Sequence, residues 1–419
     1  MLKKITSTQL ILLLIVLSII AICAHSLAID RFVVLVILIF CYVFGTRENS
    51  FVNPYNLFLL VPFSLLIYTN FGDKYMLNLT HSTWLLGIIN MVTFLSALIY
   101  TSPFKNIDNC KGPSRQSSLI FHSIILIILG FIGKEIAPLQ SILWMFTYAG
   151  IVCAIKTKIK FMYVLVALIF LLSAFGGSVS KTSMLTFVVV VLFCYDKYFA
   201  VTEKQKRRVK LMAILGVCFM IFAFSFANKD RGNYDAEEGL SVYQDRGMDW
   251  NYDVGLFMPY MYITNGWTNL QFISETQDTR TYGLWFLKPI LGYLGIKDAS
   301  DPEYMIIPYS SFNTTTYIAC GFKDFGYWLS ILSSFFLGFF VKKVYTRFLI
   351  SRSPYDVVSY ALVGLATLEM FFSNHFFMQS YPFTIVIIME IYKFVFKRSF
   401  VVELENTANN YDISNCTHL

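Results

Sequence analysis

Charge is scarce in this 419-residue sequence: 14% of its residues are Asp, Glu, Lys or Arg, and the mean hydropathy is +0.60. Soluble domains are about a quarter charged, so an ordinary soluble globular chain is excluded. Histidine is also sparse, with five dispersed residues, and the eight cysteines are scattered. No Cys-x-x-Cys or His-x-x-x-His spacing occurs, which leaves no ligand set for a metal and no disulfide framework. Neither a metal nor a cofactor is expected. No repeat of 20–50 residues is visible, so a solenoid is excluded as well. The net charge of +7 does not point to nucleic acid. In so apolar a chain it reports cytoplasmic loops facing anionic lipid.

Long uncharged runs are what the sequence has in abundance, among them 11–23, 185–194 and 211–227. With about 20 residues needed to cross the hydrocarbon core, the pattern predicts an all-α polytopic membrane protein of about twelve transmembrane helices, within a range of ten to fourteen. The predicted spans are 7–24, 26–44, 55–70, 83–101, 117–133, 140–155, 161–178, 183–196, 211–227, 324–341, 356–374 and 381–397. The first resembles a signal peptide, but a second apolar run follows at once and it reads as a retained span. Placing the N-terminus inside puts 22 of the 33 basic residues on cytoplasmic segments, including the cluster Lys204, Lys206, Arg207, Arg208 and Lys210. Only Arg31, Lys74, Lys134 and Lys181 then fall on short outer loops. This asymmetry predicts cytoplasmic N- and C-termini and a bacterial inner (cytoplasmic) membrane location.

The organisation that follows is 1–227 as nine spans, 228–323 as one large periplasmic loop, 324–397 as three spans, and 398–419 as a polar tail read as disordered. The large loop carries 12 of the 26 acidic residues and two Asp-Arg-Gly tripeptides, at Asp230 and Asp245. Its aromatic-rich stretches at 254–274 and 282–296 read as interfacial or re-entrant helices, or as a small lid domain on the outer face.

Four groups of residues are suited to chemistry. Arg231, Arg246 and Arg280 offer forked, permanently charged donors for phosphate oxygens, although Asp230 and Asp245 could simply pair with two of them. Lys181 stands in the small-residue turn Gly176-Gly177-Ser178-Val179-Ser180-Lys181-Thr182-Ser183, before a helix N-terminus that favours an anion. Asn313, Thr315, Tyr317 and Lys323, with Trp267 and Trp285, could bond and stack on sugars. Asp324 is a candidate base, or else the N-cap of the next span. Within the apolar spans, Glu369 and Glu390 are the carboxylates to explain, and His375 is a second candidate base or a solvated surface residue.

The Ser-Lys turn, the arginine-bearing outer loop and the stretch Asn313-Thr314-Thr315-Thr316-Tyr317…Asp324-Phe325-Gly326-Tyr327 resemble the bacterial O-antigen polymerases. That family is the oligosaccharide repeat-unit polymerases, and its pattern is similar to Asn-x-x-Thr…Asp-Phe-Gly; the resemblance covers about residues 130–345. Many relatives carry arginine where Lys181 stands. The resemblance implies a membrane glycosyltransferase that uses an undecaprenyl-diphosphate-linked oligosaccharide and polymerises repeat units of O-antigen or capsule. It also implies a chain-length regulator and a flippase as membrane partners. An O-antigen ligase shares the donor and topology. A polysaccharide flippase or other transporter would also suit the span count, but paired halves and broken midplane helices are not evident in the sequence.

Overall fold

The computed structural model describes residues 7–48, 50–72, 79–100, 116–134, 140–175, 181–200, 202, 204–211, 257–276, 280–284, 287, 291, 315–351, 353–371, 373, 375–376 and 381–396. Among these residues there is no strand. The main elements are α1 (Ser7–Ala24), α2 (Leu27–Arg47), α3 (Pro54–Phe58), α4 (Leu60–Gly72), α5 (His81–Tyr100), α6 (Gln116–Lys134), α7 (Gln140–Lys156), α8 (Lys160–Phe175) and α9 (Lys181–Tyr198). They continue with α10 (Phe257–Thr276), α11 (Tyr317–Ile350), α12 (Pro354–Leu368), a 3-10 turn (Glu369–Phe371) and α13 (Tyr381–Val395). Five of the described helices are long and apolar enough to cross a membrane: α1, α2, α5, α6 and α11. This is the make-up of an α-helical membrane protein.

Local chemistry explains where several helices begin and break. The predicted span 55–70 is two helices because Pro62 has no N–H for the Phe58 carbonyl, so the ladder fails one turn before it. Asn53 starts α3: its Oδ1 accepts from the Asn56 amide at 3.0 Å and Pro54 follows it. Its Nδ2 also donates to the Gly45 and Ser50 carbonyls, which ties the end of α2 to the start of α3. Ser353-Pro354 begins α12 in the same way.

Small residues set the closest packings, as expected where helices gain little from apolar burial alone. A Cβ at Gly130 would overlap Thr147, and one at Gly133 would overlap Leu143, so α6 and α7 touch nearly backbone to backbone. Gly338 of α11 rests on the Phe94 carbonyl of α5. A polar rung crosses that same seam, where Ser334 Oγ donates to Asn90 Oδ1 at 2.6 Å and Asn90 Nδ2 lies 3.4 Å from Ser330 Oγ.

The charged chain ends of many helices gather at one end of the bundle. Lys342 and Tyr345 meet Glu48, Ser50 donates to Asp196, and Lys197 donates to the Phe348 and Leu349 carbonyls. Beside them α11, α12 and α13 share an ion network: Lys393–Asp356 at 2.5 Å, Lys393–Glu390 at 3.0 Å, Arg347–Glu390 at 2.6 Å and Arg347–Asp356 at 3.7 Å. Glu390, an unexplained span carboxylate in the sequence, is therefore one corner of this network. Asp356→Ala should cost about 3 kcal/mol, the low side of breaking a buried pair, because Glu390 stays bonded to both cations. The more exposed Glu390→Gln should cost under about 1 kcal/mol. Thermal unfolding of the purified protein in detergent checks the order, and equal losses would contradict it.

Two elements differ from their sequence expectation. The stretch 254–274, expected as an interfacial or re-entrant helix or as part of a small lid domain, carries α10, a 20-residue helix buried on every side from Thr264 to Gln271. Its length matches a span, but its Thr, Asn and Gln residues dilute the apolar signal. They are tolerated because neighbours answer them: Trp267 Nε1 donates to Ser64 Oγ at 2.8 Å, and Gln271 Oε1 accepts from the Thr80 amide at 3.2 Å. The span expected at 324–341 starts earlier, at Tyr317, and is broken at Gly326.

Candidate functional site at the Gly326 break

Gly326 has φ 77° and ψ −164°, a backbone state essentially confined to glycine. The break does more than bend α11. A Cβ at Gly321 would lie 3.1 Å from the Ser330 Cα and 2.6 Å from Ser333 Oγ, although nine residues of straight helix would span about 13 Å. Residues 317–325 therefore fold back along the following turns as a half-helix. Tyr317 reaches the level of Ser334, with its ring edge-on to Phe58 at 6.1 Å and Phe94 at 6.3 Å.

Reversing a helix frees the carbonyls that an unbroken ladder would have spent on the next turn. One short segment takes up three of them. Arg280 Nη1 donates to the Phe322 carbonyl at 3.0 Å, the Thr281 amide to Lys323 at 3.3 Å, and the Tyr282 amide to Asp324 at 3.1 Å. Thr281 Oγ1 also donates to Asp324 Oδ1 at 2.6 Å. The segment turns away through positive φ at Tyr282 (48°) and Gly283 (92°), and a Cβ at Gly283 would come within 3.2 Å of the Phe325 ring. The Arg280 guanidinium lies over the Phe322 ring, 4.7 Å from its centroid, and backs onto Gly326. Arg280 is half-buried, whereas Lys323 and Asp324 are wholly buried. Two cations and one carboxylate thus meet where the half-helix ends, and the cations also offset the negative end of its dipole.

Several sequence candidates come together here: Arg280, Lys323 and Asp324. Asp324 is not an N-cap, because the helix begins seven residues earlier and Asp324 stands just before the break. Tyr317 begins the same half-helix at its opposite, buried end, and Thr315 lies two residues before it, with 1% exposure each. Trp267 is fully buried against Gly87 and bonded to Ser64, which leaves no face for a sugar ring. His375 is not solvated: it is 5% exposed, with Nε2 3.0 Å from Glu369 Oε2, and its ring is 5.5 Å from that of Tyr381. That carboxylate–imidazole pair spans the 3-10 turn after α12, where α4 and α10 pack. The sequence showed both members without joining them, and their six-residue separation was the available signal. Lys181 is the first residue of α9, and of it only the backbone is described. Arg231, Arg246, Asn313 and Trp285 lie outside the described residues.

Among the described residues no group of three His, Cys, Asp or Glu side chains could hold a metal ion. The chemistry available at the break is charge and hydrogen bonding, with Asp324 as the carboxylate there; Glu369 and His375 form a separate pair at the 3-10 turn after α12. No protein-family model, curated protein or solved structure matches the chain.

Proposed function

We propose that the chain is a repeat-unit polymerase of surface polysaccharide synthesis, a glycosyltransferase of the bacterial inner membrane with an undecaprenyl-diphosphate-linked oligosaccharide as donor. The observation that carries this reading is the Arg280, Lys323 and Asp324 cluster built on the Gly326 break. It lies on the Asp-Phe-Gly stretch that resembles the polymerase family, and it places fixed cations at one end of a helical bundle. The orientation rests on the basic-residue asymmetry, which puts that end at the periplasmic face and the Lys393 end in the cytoplasm.

The reaction breaks the bond between the sugar C1 and the carrier's diphosphate oxygen, and forms a bond from C1 to a hydroxyl oxygen of the next unit. Undecaprenyl diphosphate leaves with the bond electrons, and the hydroxyl proton passes to a base. The leaving group is already activated, so the protein's work is to stabilise its developing charge and position the acceptor. Arg280 and Lys323 supply charge, joined from the sequence by Arg231, Arg246 and Lys181. Asp324 and the Glu369-oriented His375 are the groups that can accept a proton. A ligase acting on lipid A-core would use the same donor side. A chain-length regulator and a flippase remain the expected membrane partners.

One observation favours a second reading. The half-helix 317–325 begins inside the bundle, a device that transporters use at midplane sites, and it is the broken helix not evident in the sequence. Cells lacking the protein distinguish the two. A polymerase defect leaves single repeat units on the cell surface, whereas a flippase defect leaves no exported glycan at all. Reporter fusions after Gln244 and Asp298 test the orientation: alkaline phosphatase should be active at both positions, and an active cytosolic reporter at either would overturn the topology.

A further inference from the structure

Tyr282 takes no part in the proposed charge chemistry, yet its conformation is the costliest for its residue type at the break. Its backbone stands at φ 48°, a left-handed state that glycine and asparagine adopt readily and a bulky aromatic residue rarely does. Burial does not explain the choice, because the residue is 82% exposed. The backbone around it is pinned. The Thr281 and Tyr282 amides donate to the Lys323 and Asp324 carbonyls, and the Leu284 amide closes the turn onto the Thr281 carbonyl at 3.0 Å. Glycine at this position would make the same turn and the same backbone bonds without the strain. Strain of this kind persists where the surrounding structure holds it, and it collects at ligand sites.

Trp328, equally exposed, differs in both respects. It has ordinary helix geometry and heads a stripe of α11 on which Leu332, Phe336 and Phe339 are also exposed. Such a stripe suits lipid, with its aromatic head at the interface. A fluid interface accepts a ring from any backbone, so it gives no reason for the strain at Tyr282. The neighbourhood of Tyr282 gives one. Two residues before it, the Arg280 guanidinium is held over Phe322 beside Gly326. Two residues span at most about 7 Å of backbone, comparable with one sugar unit, and the first sugar of the proposed donor is bonded directly to the diphosphate.

We infer that Tyr282 is a stacking platform for a pyranose ring of the lipid-linked glycan, the sugar next to the diphosphate. An aromatic face is apolar and electron-rich, so the C–H face of a pyranose can lie flat on it while the sugar hydroxyls stay in water. A rigid, strained turn holds that face in one place, which stacking requires. The inference rests on the proposed function for the identity of the glycan, and it gives Tyr282 the stacking role that the buried Trp267 cannot fill.

The test measures binding of the sugar apart from any polymerisation. The probe is the repeat-unit oligosaccharide freed by mild acid from the surface polysaccharide of the host cell. It is titrated into purified full-length protein, in a detergent without a sugar headgroup, and followed by saturation-transfer NMR. Tyr282→Phe and Tyr282→Trp keep an aromatic face and should bind within about threefold of wild type. Tyr282→Leu and Tyr282→Gly have none and should bind about tenfold more weakly or worse. Tyr282→Gly should nevertheless unfold at the same temperature as wild type or higher, because it sheds the strain. Trp328→Leu should leave binding unchanged, and a loss equal to that of Tyr282→Leu would overturn the assignment to Tyr282. Failure of wild type to bind the oligosaccharide would overturn the inference. So would leucine or glycine variants that bind as wild type does, since no aromatic face would then be in use. A glycine variant that unfolds well below wild type would make Tyr282 a structural support and overturn it as well. A protein that lengthens glycans in vesicles while its glycine variant binds normally keeps the proposed function and loses the platform. One that binds through the ring but lengthens nothing keeps the platform and loses the proposed function.

Discussion

Replacing Gly326 by alanine is expected to disable the protein more completely than its size suggests. A side chain at φ 77°, ψ −164° costs on the order of 1–3 kcal/mol in backbone strain. The added Cβ would also press on the Arg280 guanidinium, 3.4 Å away. The chain can relieve that strain only by straightening the break. Straightening would return the Phe322, Lys323 and Asp324 carbonyls to the helix and release Arg280, Thr281 and Tyr282 from them. The half-helix, its deep end and the cation cluster would all shift together. Polymer should be absent, and the unfolding temperature of the purified protein should fall. Gly283→Ala is also strained, at φ 92°, but should be milder, because its Cβ meets only the Phe325 ring and breaks no part of the half-helix. A Gly326→Ala protein with a normal polymer ladder would show that the break is not required.

Arg280→Ala should have the second large effect, and it has two separable parts. The structural part is loss of the bond to the Phe322 carbonyl, a hydrogen bond from a charged donor contributing about 1.5–3 kcal/mol, together with stacking on Phe322. On the proposed function there is also a catalytic part, loss of one charged donor to the developing diphosphate, typically ~3 kcal/mol or ~100-fold in rate. Arg280→Lys separates them. An ammonium can still reach one carbonyl and lie over the ring, so stability should largely return. It lacks the guanidinium fork, so the rate should recover only in part. Full recovery of rate with lysine would make Arg280 a capping residue and nothing more. Unfolding temperature and polymer formation, measured on the same preparations, give both numbers.

How far the sequence could be read depends on the kind of signal each element carries. The starts and ends of α1, α2, α5, α6 and α7 lie within a few residues of the predicted spans, because long apolar runs dominate them and Asn, Ser and Pro punctuate their ends. The interior position of α10 was hidden by its own composition. Thr264, Asn265, Thr268 and Asn269 look like a surface helix until Ser64, Thr80 and Thr83 are seen to face it. The reversal at Gly326 was hidden for a different reason. A single glycine in an apolar run is compatible with a continuous helix, and the segment that stabilises the break lies more than forty residues upstream. The Asp-Phe-Gly stretch was marked as a candidate site for its residue types, but its physical meaning, a helix reversal whose three free carbonyls are taken by residues 280–282, is a long-range property. Likewise Thr315 and Tyr317 were singled out as hydrogen-bonders for sugars, and both are buried, at 1% exposure each.

The central claim is that this protein lengthens a lipid-linked glycan, and reconstitution tests it most directly. Purified full-length protein in lipid vesicles is supplied with a single undecaprenyl-diphosphate-linked repeat unit, and the products are resolved by gel and mass spectrometry. The account predicts glycans of two or more units on one carrier, with one undecaprenyl diphosphate released for each bond formed, and a sharp fall in both with Arg280→Ala. Repeat units that cross the vesicle membrane without lengthening would contradict it and establish transport in its place.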